Sequence, residues 1–258
     1  MSNPSKHHYH PWPLLPYEEF SSTKYLLHMA MQAIGKLKLT TPFEPHWANV
    51  ALALTPFGLT TGPIPYGEGL FSIEMDFIFH QVICTSSWGN MSKFGLVPMS
   101  VAQFTSTLFD ALRSINVYVN INLMPQEITN PIPLNKDDAH RHYDRDLANA
   151  WWRILASSYR VLQRYHARFT GRTPFIGFMW GTFDLRDARY RGTRVKTEGI
   201  NSGFIRRNAM DDAQVEVGWW PGDERYPRPG IRHMQFLLSI VLGSVPEDFI
   251  SLSNEELG

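Results

Sequence analysis

A chain of 258 residues, 43% hydrophobic and 13% aromatic, is long enough for one large domain or two small ones and ample for a sizeable core. Its 24 basic residues balance 24 acidic ones, which excludes a global field that would hold nucleic acid or an anionic membrane. One cysteine, Cys84, excludes an internal disulfide and a thiolate metal cluster, and the longest apolar runs, such as Phe236 to Leu242, fall well short of the roughly 20 residues a membrane helix needs.

In chain order, the start carries Pro, His and Trp rather than a basic stretch before an apolar run, so it does not read as a secretory signal. A cytoplasmic setting is expected. His10 to Pro16 is too proline-rich for a helix and is expected to lie across the surface, anchored by Trp12. A helix is predicted over Tyr17 to Lys36, with Glu18 and Glu19 complementing its N-terminal dipole. His28, Gln32 and Lys36 share one stripe of it. Strands are predicted over 47–55 and 57–61, then a stiff turn over 60–67. Phe71 to Cys84, FSIEMDFIFHQVIC, reads as a single strand. Phe71, Ile73, Met75, Phe77 and Phe79 fall on one face of it, and Glu74, Asp76 and His80 on the other. A link at 87–90 carrying an exposed Trp88 leads to a strand at 93–98. Ser100 is the expected cap of a helix to Ser114, with Phe104, Leu108 and Leu112 inward. Residues 117–123 read as a strand, and 124–138 as an extended crossing. Asp144 is the expected cap of the longest helix, to Phe169. The aromatic stretch 175–184 reads as a strand with Phe178, Trp180, Thr182 and Asp184 on one face. A polar, glycine-rich stretch to Asp212 reads as a mobile loop, and 214–220 and 231–242 as the last strands.

Short strands mixed with three good helices, without βαβ alternation, predict an α+β fold with a mostly antiparallel, curved sheet packed by three main helices. The expected organisation is a disordered tail at 1–11, one domain at 12–245 and an acidic tail at 246–258. There is no GxGxxG, GxxxxGK[ST] or GxSxG, so nucleotide cradles and the serine-hydrolase elbow have no support.

Four groups could carry chemistry. Glu74, Asp76 and His80 pair carboxylates with an imidazole on a rigid mount. A solvated outer sheet face explains the same pattern. Asp76 and His80, four residues apart on a strand, would stand roughly 13 Å apart, too far to share one metal. The second group is His28 and Gln32, which helical spacing brings within reach of one ligand, as a hydrogen-bonding wall or as a histidine satisfied at a helix–sheet boundary. The third is His140 and His142 with Asp144, a metal pair or simply a helix cap. The fourth is Trp180 and Asp184 with Arg186 and Arg189, an aromatic wall ending in charge that suits a flat or anionic molecule. Core aromatics with an Asp184–Arg189 ion pair are the plainer reading. Cys84 is a reactive thiol or, more simply, a small buried hydrophobe.

At these motifs the chain resembles a bacterial family known only as a domain of unknown function. The matching pieces are Trp12-Pro13, His28 with Gln32 and Gly35-Lys36, Gly58 to Gly67, Asp76-Phe77 with His80, Pro131 to Pro133, His140 with Tyr143-Asp144, Trp180-Gly181 with Phe183 to Leu185, and Gly218 to Gly222. Family members carry histidine and serine just before the last Trp-Pro-Gly turn, where this chain has Asp211, Asp212 and Glu216. The resemblance implies one continuous unit and no particular activity. The expected function is an acid–base enzyme for a small metabolite, with Asp76 or Glu74 as base and His80 or His28 as acid. Gln32, Lys36, Thr61, Tyr66, Trp180, Asp184, Arg189 and Trp220 would bind its substrate. A non-catalytic binding or interaction module, exposing aromatics around Trp88 and Trp219, is one alternative. A metal enzyme using His28, Asp76, His80 and His140 is another. No cofactor, nucleic acid or membrane partner is expected, and the oligomeric state is left open.

Overall fold

Three helices form where caps and periodicity coincide. The computed structural model describes residues 10–195, 211–222 and 235–241, the last by backbone alone. Helix α1 (Tyr17–Gly35) starts after Pro16 with Glu18 and Glu19 in its first turn, then tightens into a 3-10 turn, Lys36–Thr40. Helix α2 (Val101–Ser114) opens on a reciprocal capping box: Ser100 Oγ accepts from the Gln103 amide, and Gln103 Oε1 accepts from the Ser100 amide, both at 3.0 Å. Helix α3 (Arg145–His166) opens on Asp144, whose carboxylate accepts from Leu147 N at 2.9 Å.

Two open antiparallel sheets accompany them. The first contains β1 (Ala53–Leu54), β2 (Gly58–Thr60), β3 (Ile64–Tyr66), β4 (Gly69–Asp76), β5 (Gln81–Ser86) and β6 (Met91–Gly95). Its order is β1-β2-β4-β5-β6, with β3 also paired to β4. The second contains β7 (Gly177–Met179), β8 (Asp184–Arg194), β9 (Asp212–Trp220) and β10 (Gln235–Val241), in the order β10-β9-β8-β7. Leu52 and Phe178 exchange amide hydrogen bonds of 2.9 and 2.8 Å, so β7 abuts the β1 end of the first sheet. The α+β class with antiparallel sheets is therefore as expected.

The core is aromatic. The buried Trp151 ring of α3 meets Phe77 edge-on at 5.2 Å and Phe178 edge-on at 5.7 Å, and stacks on Phe183 at 5.3 Å. One helix residue thus binds the β4–β5 turn to the β7–β8 turn. No helix among the described residues is long and apolar enough to cross a membrane.

Several local expectations are corrected. Phe71 to Cys84 is a hairpin, not a strand: pairing ends at Asp76↔Gln81. Asp76 Oδ1 accepts from the amides of Ile78 and Phe79, both at 2.8 Å, which folds the chain back on itself. His80 completes the reversal at φ 56°. Phe79, expected in the core, is 62% exposed. The strand expected over 47–55 shrinks to Ala53–Leu54, because Pro45–Val50 is helical and His46 and Trp47 are left-handed. The turn over 60–67 contains β3, and 117–123 is extended without a ladder. The 175–184 strand breaks at Trp180 to Phe183, so Phe178, Trp180, Thr182 and Asp184 do not line one face. Strand β8 runs to Arg194, where a loop was expected. Trp219 is core, at 2% exposure, not part of an exposed patch. Residues 1–9 and 246–258 of the tails and the rest of the expected loop, 196–210, lie outside the described residues, while His10 and Pro11 accept from Arg153 and Ser157 of α3.

Candidate functional site

Register places the chemistry on one face of the second sheet. Arg186 pairs with Gly218, Ala188 with Glu216 and Tyr190 with Gln214, so the even-numbered side chains of β8 and β9 share a face. The odd-numbered ones turn to α3: Asp187 meets His166 Nδ1 at 2.7 Å, and Arg189 lies over the Tyr165 ring at 3.3 Å. The even face gathers Asp184, Arg186, Tyr190, Asp212, Gln214 and Glu216, all largely buried.

Its centre is ionic. Arg186 donates to Glu216 Oε1 at 2.6 Å and to the His46 carbonyl at 3.3 Å. Burial alone would lower the guanidinium's affinity for its proton, but Glu216 reverses this and holds it charged. Asp184 is 3% exposed. Burial pushes its carboxyl up to about 6, against the Thr182 hydroxyl and Arg186, with Glu216 and Glu127 pushing the same way. His46 stacks on Tyr190 with 3.6 Å between centroids. Its Nε2 lies 3.6 Å from Asp212 and its Nδ1 3.7 Å from Asp211. Burial, then Arg172, pulls this imidazole below its ordinary value although Asp212 opposes them.

Helix α1 forms the adjoining wall. Gln32 pairs with both backbone groups of Gln126, donating to its carbonyl at 2.8 Å and accepting from its amide at 3.1 Å. It also donates to the Gly181 carbonyl at 3.3 Å, which His28 Nε2 reaches at 2.9 Å. Burial pulls His28 down to about 4, so near neutrality it is an uncharged imidazole donating to a carbonyl. Lys36 Nζ is buried 5.9 Å from the Trp180 ring, without a hydrogen-bond partner among the described residues. Burial pulls it down to about 8.

The structure thus gathers His28, Gln32, Lys36, Trp180 and Asp184 around the β7–β8 turn. The other predicted residues lie elsewhere. Asp76 is committed to its turn, and Gln81 donates to its second oxygen at 3.2 Å. His80 Nδ1 meets the Tyr143 hydroxyl at 2.9 Å, and Glu74 accepts from Thr55 at 2.5 Å. Thr61 donates to Gly62 O and accepts from Ile73 N, fixing its own turn. Tyr66 accepts from Tyr118 N at 3.0 Å. Arg189 faces α3, opposite Asp184, so the two do not share a wall. Trp220 is the exception: it ends β9 on the even-numbered face, with its ring 5.9 Å from the Lys24 ammonium. His140 is exposed. Among the described residues no three His, Cys, Asp or Glu stand as a metal-binding group, and Cys84 is a buried thiol pushed up to about 12 by burial.

Tyr190, His46 and Gln214 are absent from the groups picked out in the sequence, Glu216 is noted there without a role, and Arg186 belongs to the fourth group. A sequence signal exists for Gln214 and Glu216. Asp212, Gln214 and Glu216 alternate with Ala213, Val215 and Val217, the period-two pattern of a half-buried strand. A second signal is conformational. Non-glycine residues at positive φ border this face at His46, Trp47, Glu127 and Phe183, and such backbone tends to persist where function requires it.

Fold and face together define an α+β protein whose second sheet carries a buried ionic surface closed by α1 and the 45–50 turn. The chain belongs to the family of unknown function DUF5996, whose match covers residues 12–231. No curated protein and no solved structure matches it.

Proposed function

We propose that this protein acts on a small metabolite by proton transfer on the even face of β8 and β9, with Asp184 as the group that moves the proton. The observation that carries this reading is a buried carboxyl raised to about 6 beside a permanently charged arginine. A general acid or base works best when its affinity for the proton lies near the operating pH. Arg186, fixed by Glu216, supplies the positive charge that would steady an oxyanion or carboxylate of the substrate. Lys36, brought to about 8, is a second group that could change charge near neutrality. The acid–base role expected of Asp76 and His80 passes to Asp184, because Asp76 spends both oxygens on its turn.

The test is a metabolite panel followed by proton NMR. Asp184→Asn should lower any turnover by about a hundredfold or more, and the wild-type rate should show a limb near pH 6. Full turnover by the variant would end this reading. The metal-dependent version would need ligands beyond those gathered here, and stoichiometric metal in protein purified without added metal would support it.

One observation favours a non-catalytic binding role instead. An open depression of about 560 Å³ lies between Tyr66, Trp88 and Asn116 on the first sheet, with Trp88 41% exposed. A ligand seated there would change tryptophan emission in the wild type and not in Trp88→Phe.

A further inference from the structure

The end of the even face farthest along β8 from Asp184 carries polar atoms without a hydrogen-bond partner among the described residues. Tyr190 and Gln214 are paired across the ladder, and Asp212 follows on the same face of β9. His46 covers them by stacking on Tyr190. All four are at least nine-tenths buried. Yet Gln214 Nε2 and Oε1, the Tyr190 hydroxyl, Asp212 Oδ1 and both His46 nitrogens have no hydrogen-bond partner among the described residues. Buried polar side chains are almost always paired, because an unmade hydrogen bond leaves the loss of water uncompensated. Neighbouring residues with such atoms, side by side on one buried face, make a site short of a partner rather than a set of accidents.

Chemistry narrows that partner. Arg172, Arg186 and Arg194 all act on His46, which opposes a cation. Asp211 meets Arg194, Glu216 meets Arg186, and Asp212 keeps an unpaired oxygen, which opposes an anion. With the charges balanced, the ligand is neutral. The carboxamide of Gln214 presents an acceptor and a donor side by side, the arrangement by which glutamine grips a base edge with two hydrogen bonds. The flat His46–Tyr190 stack beside it suits a planar molecule. Burial holds the Tyr190 phenol up at about 12, so its hydroxyl remains a donor.

Resting on the reading of this face as a metabolite site, we infer that Gln214, Tyr190, Asp212 and His46 form its recognition subsite. The ligand they take is a neutral planar heterocycle with an adjacent hydrogen-bond donor and acceptor, as in nucleobases and lactams. The substrate of the proton transfer then carries such a ring at one end, and its reacting atom faces Asp184.

The experiment titrates the full chain by calorimetry with uracil, 1,3-dimethyluracil, acetate and methylguanidinium. Uracil should bind, 1,3-dimethyluracil about tenfold or more weakly, and the two ions not measurably. Gln214→Leu should weaken uracil by about tenfold or more while its unfolding midpoint holds or rises, because it removes two unsatisfied buried atoms. No uracil binding at millimolar concentration would overturn the inference. So would equal binding of the dimethyl compound, or unchanged binding by Gln214→Leu. Uracil binding without any Asp184-dependent turnover would retire the proton-transfer reading and leave the subsite standing. Asp184-dependent turnover without uracil binding would do the reverse.

Discussion

Asp76 and Asp184 are both buried aspartates, and they differ in what surrounds them. Asp76 accepts two backbone amides and the Gln81 amide, so its charge is spent on turning the chain. Asp76→Ala should cost about 2 kcal/mol in urea denaturation. Intact stability with lost turnover would restore it to the catalytic role expected of it. Asp184 answers to pH instead. Its folded value near 6 lies above the ordinary 3.8, so the folded protein keeps a proton that the unfolded chain gives up between the two. That contribution is complete below about pH 4 and lost as pH rises through 6. Asp184→Asn cannot ionise. It should exceed the wild type in stability above pH 6 by on the order of 3 kcal/mol, read from melts at pH 4 and 7.5. Asp184 stands out in the sequence as the end of an aromatic stretch, whereas Glu216, the ion-pair partner of neighbouring Arg186, lies some thirty residues along the chain and joins this face only by sheet register.

At the scale of elements, the C-terminal half of α1 is a wall built to one shape. A Cβ on Gly35 would come within 2.2 Å of the Trp180 ring. Helix propensity alone predicts that Gly35→Ala stabilises by about 1 kcal/mol. Overpacking by a rigid ring costs more, so the variant should lose roughly 2 kcal/mol in urea, and a gain would show that Trp180 yields. His28 on the same wall has the opposite pH sense to Asp184. Its value near 4 lies below the ordinary 6.5, so its contribution is complete above pH 6.5 and lost as pH falls through 4. His28→Gln should flatten the acid side of the stability profile between those limits. The helices were legible because caps and apolar period agree at Ser100 and Asp144. The strands were less so: the aromatic run after Asp76 hid a reversal that depends on one carboxylate, and the polar alternation of β8 resembles a loop until its partner strand is known.

For the whole molecule, Trp151 and the Leu52–Phe178 bridge are what join the two sheets. Trp151→Ala should cost roughly 3–5 kcal/mol, and the wild type should unfold in one transition by fluorescence and circular dichroism alike. Two separated transitions would divide the chain expected to be one domain. Fold class was readable from the mixture of elements, but the meeting of residues 28, 46, 184 and 216 was not, because only long-range pairing creates it. Glu127 reaches across this arrangement to Asp184. It is exposed and held at φ 57°, a posture glycine adopts more cheaply, and its carboxylate helps keep Asp184 protonated. Removing that charge by Glu127→Gln would let the Asp184 proton leave more easily, and the acid limb of any turnover should move to lower pH.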